Sequence, residues 1–254
     1  MLNMKAVDPV RYPVTARFNF KCYKGIPCFT KCCSHIDIML TPYDIIRLKN
    51  KLGLSSGEFL TKYTYVHIEE KSSHPFVFLK MNEETEGKCH FVTEEGCSIY
   101  LDRPANCRYY PVGQASLRKT DEATKTNITE EFYFFVKEPH CLGFQEKDEW
   151  TIKSWRDDQG VDVYDDMNRG WKDILFRKNL PGHDLDDKKQ KAFYMASYDV
   201  DRFRRFVFES GFLDAFDIDE KRIEKVRNDE VELMKLGFDY TKYILMMEET
   251  LKKK

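Results

Sequence analysis

The sequence lacks the features that define several large classes of protein. No stretch approaches about 18 consecutive apolar residues, so the sequence predicts no membrane partner. The net charge is only −2, and we expect no nucleic-acid partner, because phosphate contacts need a basic surface. Motifs of the G-x-G-x-x-G, P-loop and G-x-S-x-G kinds are also absent, so no usual nucleotide-binding loop or hydrolase nucleophile is indicated.

Cysteine is missing from the last part of the chain and concentrated in the first. No cysteine follows residue 141, and no C-x2-C pair, the usual unit of a structural zinc knuckle, occurs. Seven of the eight fall into two tight clusters, which is unusual for thiols that serve only as small buried hydrophobes. The candidate metal ligands are Cys22, Cys28, Cys32, Cys33, Cys89, Cys97, Cys107 and Cys141.

The expected compartment decides how these thiols are interpreted. The first twenty residues carry no apolar leader, because Asp8, Arg11 and Arg17 interrupt it. We therefore expect a cytoplasmic protein, in which thiols stay reduced and clustered cysteines indicate metal ligands before disulfides. Irregular spacing favours an iron–sulfur cluster of the 4Fe-4S type held from several loops. Zinc stays open, since four thiolates from two loops can close a tetrahedron.

Residues beside the cysteines supply further candidates. Arg103 and Arg108 flank Cys107, and their guanidinium groups could offset the negative charge of a thiolate site and donate hydrogen bonds to sulfur. Ordinary pairing with nearby carboxylates is the alternative. Histidines also neighbour the cysteines and could each replace a thiolate: His35, His90 and His140.

The adjacent cysteines, Cys32 and Cys33, need a separate interpretation. In an extended backbone their side chains would point to opposite faces and would not bind one small ion together. Either one ligates while the other packs, or the two serve neighbouring sites. Eight cysteines suffice for two four-thiolate sites, but their number alone does not establish them. We expect Cys28, Cys32, Cys97 and Cys107 to form one four-thiolate site, because their two loops can converge. The other cysteines, Cys22, Cys33 and Cys141, would complete a second site or surround the first.

Local patterns in the first 149 residues predict a small sheet with short helices. Thr41-Pro42 opens a helix that Gly53 ends, and a capping box at 55–58 opens a second. Segments 89–92 and 97–100 predict a hairpin that would bring Cys89 and Cys97 together. Further expectations are a strand over 76–81, a helix capped by Asp102, a polar loop or hairpin tip over 116–131, and a strand over 131–136.

From residue 150 onward, apolar side chains recur at helical spacing, including Trp155, Trp171, Phe203 and Leu233. We therefore predict an α+β fold, in which a cysteine-rich antiparallel sheet with short helices is covered by C-terminal α-helices. The predicted division places a metal-binding domain at 1–149 and a helical extension at 150–254, packed as one compact unit.

The segment Cys-Ser-Ile-Tyr-Leu-Asp-Arg-Pro-Ala-Asn-Cys-Arg-Tyr-Tyr-Pro, residues 97–111, resembles the YkgJ-type cysteine-cluster family. The stretch Leu-Thr-Pro-Tyr-Asp-Ile at 40–45 is similar to the first helix of that family, and the resemblance covers roughly residues 18–145. It implies a zinc- or iron-chelating domain built on eight cysteines. Because the family includes flagellin lysine N-methylase, the resemblance also implies an alternative: a protein-lysine N-methyltransferase with S-adenosylmethionine as cofactor and a protein as substrate.

Overall fold

The computed structural model describes residues 6–70, 72–120, 127–177, 185–245 and 248–254. The strands are β1 Arg17–Asn19, β2 Met39–Leu40, β3 Thr64–Ile68, β4 Pro75–Leu79, β5 Met81–Asn82, β6 Lys88–Cys89, β7 Val92–Thr93, β8 Gly96–Cys97, β9 Val112–Thr120, β10 Asn127–Phe135, β11 Glu149–Thr151, β12 Phe216–Asp217 and β13 Lys252–Lys253. The α-helices are α1 Pro42–Leu52, α2 Ser56–Tyr63, α3 Ala105–Tyr109, α4 Ile152–Gln159, α5 Val161–Met167, α6 Arg169–Arg177, α7 Asp187–Tyr198, α8 Val200–Glu209, α9 Phe212–Ala215, α10 Glu220–Asn228 and α11 Glu230–Ile244. Small antiparallel sheets and a helical C-terminal part confirm the predicted α+β class.

The chain divides into two compact units, each formed from two separate segments. The cysteine unit comprises Met1–Ile38 and Lys80–Val163, and the helical unit comprises Met39–Leu79 and Tyr164–Lys254. All eight cysteines belong to the cysteine unit. The predicted domain boundary between residues 149 and 150 stays a prediction.

The core of the cysteine unit is built from aromatic side chains. β1 pairs antiparallel with β11, which sets Phe18 opposite Trp150. The indole N–H of Trp155 donates to the carbonyl oxygen of Tyr109 over 3.1 Å, so its polar atom is satisfied inside the core. Phe20 packs edge-on against Trp155 with ring centroids 5.4 Å apart. The predicted strand-like alternation of Phe18 and Phe20 therefore places both rings in this core.

One strand of the cysteine unit is longer than predicted. β9 and β10 form an antiparallel ribbon in which Val112 faces Phe135, so most of the predicted polar loop at 116–131 is strand. The predicted strand over 131–136 accordingly begins earlier, at Asn127. A two-stranded ribbon is held by main-chain hydrogen bonds, and its outer half needs no apolar alternation to form. Residues 121–126, between the two strands in the sequence, lie outside the described residues.

The region between Cys89 and Cys107 also departs from prediction. The expected hairpin exists but is shorter, because β7 pairs only with β8 and sets Val92, not Cys89, opposite Cys97. Residues Tyr100–Asp102 form a 3-10 helix instead of a strand, and the Asp102 N–H donates to Ile99 within it. Pro104, not Asp102, occupies the N-cap position of α3.

In the helical unit, the predicted caps are present. Thr41 and Asp44 form a reciprocal capping box at the start of α1, and Gly53 ends that helix with a positive φ of 65°. Ser55 and Glu58 form a second capping box at α2. Three strands of this unit form one antiparallel sheet in the order β2-β4-β3, and β12 pairs with β13 in a second sheet. The predicted strand over 76–81 corresponds to β4 and β5.

The C-terminal residues are helical, as predicted, but they form shorter helices than the periodicity indicated. Aspartate side chains cap four of these helices: Asp186, Asp199, Asp219 and Asp229. Each carboxylate accepts a backbone N–H of the first turn and so fixes where its helix begins. Among the described residues, no helix combines the length and apolar character needed to cross a membrane.

Candidate metal centre

The first part of the site forms where the N-terminal cysteine loop meets the turn around residue 141. The Lys21 N–H donates to the carbonyl oxygen of Gly143 over 3.2 Å, and the Leu142 N–H donates to the Cys28 sulfur over 3.2 Å. A Cβ added at Gly143 would lie 2.5 Å from a ring carbon of Phe20 and 3.0 Å from the Lys21 carbonyl oxygen. Glycine therefore permits the close approach that joins the two segments.

This junction gathers Cys22, Cys28, Cys32 and Cys141, called here the first thiol group. Although Cys22 lies in an exposed position, the protein around its sulfur raises the pKa of the thiol to about 11, and the three other members contribute. Burial also raises the pKa of the Cys141 thiol, with Cys28 and Cys32 adding to the shift. The four side chains thus lie within electrostatic range of one another.

Tyr110 borders the first thiol group. Its buried hydroxyl lies beside Cys141 and has no oxygen or nitrogen partner among the described residues. Burial and the neighbouring Cys141 raise the pKa of Tyr110 far above its usual value. Tyr110 therefore remains a neutral O–H that can donate to a sulfur.

Cys32 and Cys33 link the two parts of the site. They lie in a 3-10 helix, Lys31–Cys33, so the assumption of an extended backbone was wrong for this dipeptide. In a 3-10 helix, successive side chains diverge by about 120° rather than pointing to opposite faces. The two side chains hydrogen-bond each other, which lowers the pKa of Cys32 and raises the pKa of Cys33.

Backbone pairing after Cys33 builds the second part of the site. Ser34 forms an antiparallel bridge with Lys88, and the His35 N–H donates to the carbonyl oxygen of Gly87 over 2.9 Å. This pairing brings Cys33 alongside Cys89.

The second thiol group consists of Cys33, Cys89, Cys97 and Cys107. The Cys33 thiol lies within electrostatic range of Cys89 and Cys107, and Cys89 lies within range of Cys97. The expected proximity of Cys89 and Cys97 is therefore present, although the hairpin ladder does not pair them directly.

Burial is the largest influence on the pKa values of two members of this group. It raises the pKa of Cys89 and of Cys97 above the usual thiol range. The backbone N–H groups of Phe91 and Ile99 offset part of these shifts by hydrogen bonding to the two sulfurs, and the Arg103 charge also lowers the pKa of Cys97.

Arg103 lies beside the second thiol group. Its guanidinium stacks on the Tyr100 ring at 3.8 Å from the centroid and donates to the Tyr100 carbonyl oxygen over 2.6 Å. It also donates to the Gln159 side chain and is in electrostatic contact with Cys97 and Cys107. The planar group is thus fixed where it can offset thiolate charge.

Arg108 makes a different set of contacts. Its guanidinium donates to the carbonyl oxygens of Arg103 and Gln159 over 3.0 and 2.8 Å, and to that of Leu101. These contacts fix the backbone of the turn before Cys107. Its predicted role beside the metal stays a prediction.

One comparison with known proteins found a match that spans the thiol groups. Residues 21–141 match the family model CxxCxxCC, described as "Putative zinc- or iron-chelating domain". Residues 21–141, called here the CxxCxxCC domain after the model that they match, are similar to this family. The matched segment begins next to Cys22 and ends at Cys141, so it contains all eight cysteines of the chain. A search of curated proteins and a search of solved structures found no match.

The donor chemistry of the CxxCxxCC domain suits zinc or iron. None of its eight cysteines forms a disulfide, and soft thiolates are the ligands that these metals prefer in such sites. Within the described ranges, no three or more side chains of cysteine, histidine, aspartate or glutamate are arranged to hold a metal ion. The three candidate histidines, His35, His90 and His140, are all exposed.

Three residues of the site were missed by the sequence analysis. Tyr110 lies beside Cys141, and Gln159 anchors both arginines. Gly143 permits the junction between the loop and the turn. Nothing in the sequence indicates that Gln159, at the end of α4, lies near Arg103. Tyr110 could have been found, because it lies in the segment 97–111 that resembles the cysteine-cluster family.

Proposed function

We propose that the CxxCxxCC domain of this chain holds an iron–sulfur cluster of the 4Fe-4S type, with zinc as the alternative occupant. The observation that supports this proposal is the gathering of all eight thiols into two adjoining groups within one compact unit. The candidate ligands come from separate turns and carry no C-x2-C pair, a spacing that fits a cluster held from several loops at least as well as a zinc knuckle. We place the protein in the cytoplasm, where these thiols stay reduced.

The bound group would serve first as a structural element. The cysteine unit contains several two-residue strands, and its ligand-bearing turns depend on a few backbone hydrogen bonds. Because metal binding to deprotonated thiols is coupled to folding, the bound group would stabilise these turns against unfolding. When bound, an iron–sulfur cluster would also supply one-electron chemistry.

Metal analysis of anaerobically purified protein tests the proposal. We expect brown protein that contains iron and acid-labile sulfide in comparable amounts. Colourless protein with stoichiometric zinc, purified in the same way, would make zinc the native occupant. Protein that retains neither metal and binds neither when reconstituted would contradict the proposed function.

The alternative function is a protein-lysine N-methyltransferase that uses S-adenosylmethionine. This alternative is carried by the family resemblance, and no contact within the described residues favours it over metal holding. Calorimetric titration of the metal-loaded protein with S-adenosylmethionine separates the two functions. Saturable binding would support the methyltransferase, whereas the proposed metal-holding function predicts no binding heat.

A further inference from the structure

We propose that the eight cysteines form two distinct four-thiolate sites, and that the Cys32–Cys33 dipeptide gives one ligand to each. The first site would use the first thiol group, Cys22, Cys28, Cys32 and Cys141. The second site would use the second thiol group, Cys33, Cys89, Cys97 and Cys107. This inference rests on the proposed function, because it concerns how the chain distributes its metal ligands.

The backbone assembles the first thiol group independently of the second. The Leu142 N–H bonds to the Cys28 sulfur, and the Lys21 N–H bonds to Gly143, so Cys22 and Cys28 converge on the Cys141 turn. The Phe20 and Phe144 rings pack 5.3 Å apart beside this junction. Three members of the group therefore approach one another through contacts that involve no member of the second group.

The second thiol group is assembled by different contacts. The bridge between Ser34 and Lys88 aligns Cys33 with Cys89, and the Ser98 N–H donates to Phe91 over 2.8 Å. This turn brings Cys97 back toward Cys89. Arg103 lies next to Cys97. Among the described residues, no comparable guanidinium contact is seen at the first thiol group.

The Cys32–Cys33 turn explains why the boundary falls between these two residues. Side chains diverge about 120° in a 3-10 helix, so adjacent sulfurs can enter neighbouring ligand sets without leaving hydrogen-bond range. A tetrahedral site needs four thiolates, and each group supplies four. Because no three of these side chains are arranged to hold an ion in the described structure, metal binding would have to draw the members of each group together. A single site would leave the other group as a cluster of half-buried thiols with no ligand role.

Zinc stoichiometry tests the division, with zinc ions alone as the probe. Reduced, metal-free full-length protein should bind two zinc ions per chain. Cys22→Ser and Cys97→Ser should each bind one, and the double variant should bind none. Lys31→Ala, which changes an exposed side chain next to Cys32, should still bind two and serves as the matched control. Circular dichroism would verify that each variant is folded.

Thiol alkylation identifies the ligands and needs no variant. Native mass spectrometry can select wild-type chains that carry one zinc ion, and their alkylation-resistant cysteines can then be mapped. We expect the four protected residues to be one complete thiol group. Protection that mixes members of both groups would overturn the division, even if the serine variants did not fold.

The possible failures are distinguishable. Wild-type protein that binds no zinc and no iron would overturn both the two-site division and the proposed function. One ion per chain, lost equally in Cys22→Ser and Cys97→Ser, would overturn the division and leave the proposed function standing. Equal loss in Cys32→Ser and Cys33→Ser is expected, with a different thiol group losing protection in each.

Discussion

The Leu142 N–H donates a hydrogen bond to the Cys28 sulfur over 3.2 Å, between residues 114 positions apart in the chain. The sulfur thus accepts a backbone hydrogen bond while remaining a candidate metal ligand. Such N–H contacts favour the thiolate form and fix the orientation of a ligand. The Cys28 sulfur therefore joins the N-terminal loop to the Cys141 turn by a hydrogen bond, and it could join them a second time through a shared metal ion.

Replacing Cys28 separates these two roles. Cys28→Ser keeps an acceptor for the Leu142 N–H, whereas Cys28→Ala leaves that N–H without its partner. We expect both variants to lose one metal ion. In the metal-free state, the alanine variant should be the less stable of the two by about 1 kcal/mol, measured by urea unfolding. Equal stability of the two metal-free variants would show that the N–H to sulfur bond contributes little.

Changing Arg103 should weaken metal binding in the second thiol group. Arg103→Gln removes the positive charge beside Cys97 and Cys107, and we expect zinc affinity at that site to fall roughly 10- to 100-fold. Arg103→Lys keeps the charge but loses the planar contacts to Tyr100 and Gln159, so an intermediate loss is expected. Competition with a chromogenic chelator measures both affinities.

Arg108 provides the matched control for that experiment. Its guanidinium bonds to backbone carbonyl groups, so Arg108→Lys should lower the free energy of unfolding of the metal-free protein more than it lowers zinc affinity. Wild-type zinc affinity in Arg103→Gln would contradict a role of that charge at the site.

Metal binding should strengthen as pH rises toward the pKa values of the thiols. Burial raises the pKa of Cys22 to about 11 and also raises those of Cys89, Cys97 and Cys141, so these thiols are protonated at pH 7. Binding must then release their protons. Zinc titrations in buffers of different ionisation enthalpy would measure the release. Cys22→Ser should reduce it by more than one proton per chain, because that variant is expected to lose the ion bound by the whole first thiol group.

The same shifts set the pH dependence of the metal-free fold. A folded-state pKa above the unfolded value means that the fold favours the protonated thiol. The stabilisation that comes from this preference is fully present below the pKa of a thiol in the unfolded chain, near 8.5. It is lost as the pH rises toward the folded-state pKa, which is about 11 for Cys22. Metal-free protein should therefore lose stability over this range. Urea midpoints that stay constant from pH 8 to 11 would contradict the cause given for these shifts.

Two glycines in helices should respond oppositely to alanine. A Cβ at Gly237 would lie 2.3 Å from the Ala196 carbonyl oxygen, because α11 and α7 approach closely there. We expect Gly237→Ala to destabilise the helical unit by about 1–3 kcal/mol. Nothing lies within 4 Å of a Cβ at Gly57, so Gly57→Ala should stabilise α2 by about 0.4–1 kcal/mol. Urea unfolding measures both, and a stabilised Gly237→Ala would refute the close packing.

The features that the sequence predicted best depend on neighbours in the chain. The capping boxes that begin at Thr41 and Ser55 each join two residues three positions apart, so their pattern is visible in the sequence. The aspartates that cap the later helices use the same contact. They were overlooked because the apolar periodicity runs through them and indicates longer helices.

The sequence analysis named the candidate ligands but could not predict how they are grouped in space. All eight predicted ligands lie in the cysteine unit, but their grouping depends on contacts such as Lys21 with Gly143 and Ser34 with Lys88. Such long-range pairings leave no periodic signal. The conformation of Cys32 and Cys33 was also invisible, since a short 3-10 turn has no characteristic pattern. The ligand roles themselves stay a prediction.

The insertion of Met39–Leu79 between the two segments of the cysteine unit affects the order of events on the ribosome. Cys22 to Cys33 leave the exit tunnel long before Cys141 is synthesised. At roughly 5–20 residues per second, that interval lasts on the order of ten seconds. The first thiol group lacks Cys141 throughout this interval, and the second thiol group lacks Cys107 for the first part of it. Metal that reaches the nascent chain too early would therefore meet an incomplete set of ligands, and both sets are complete only once Cys141 has been added.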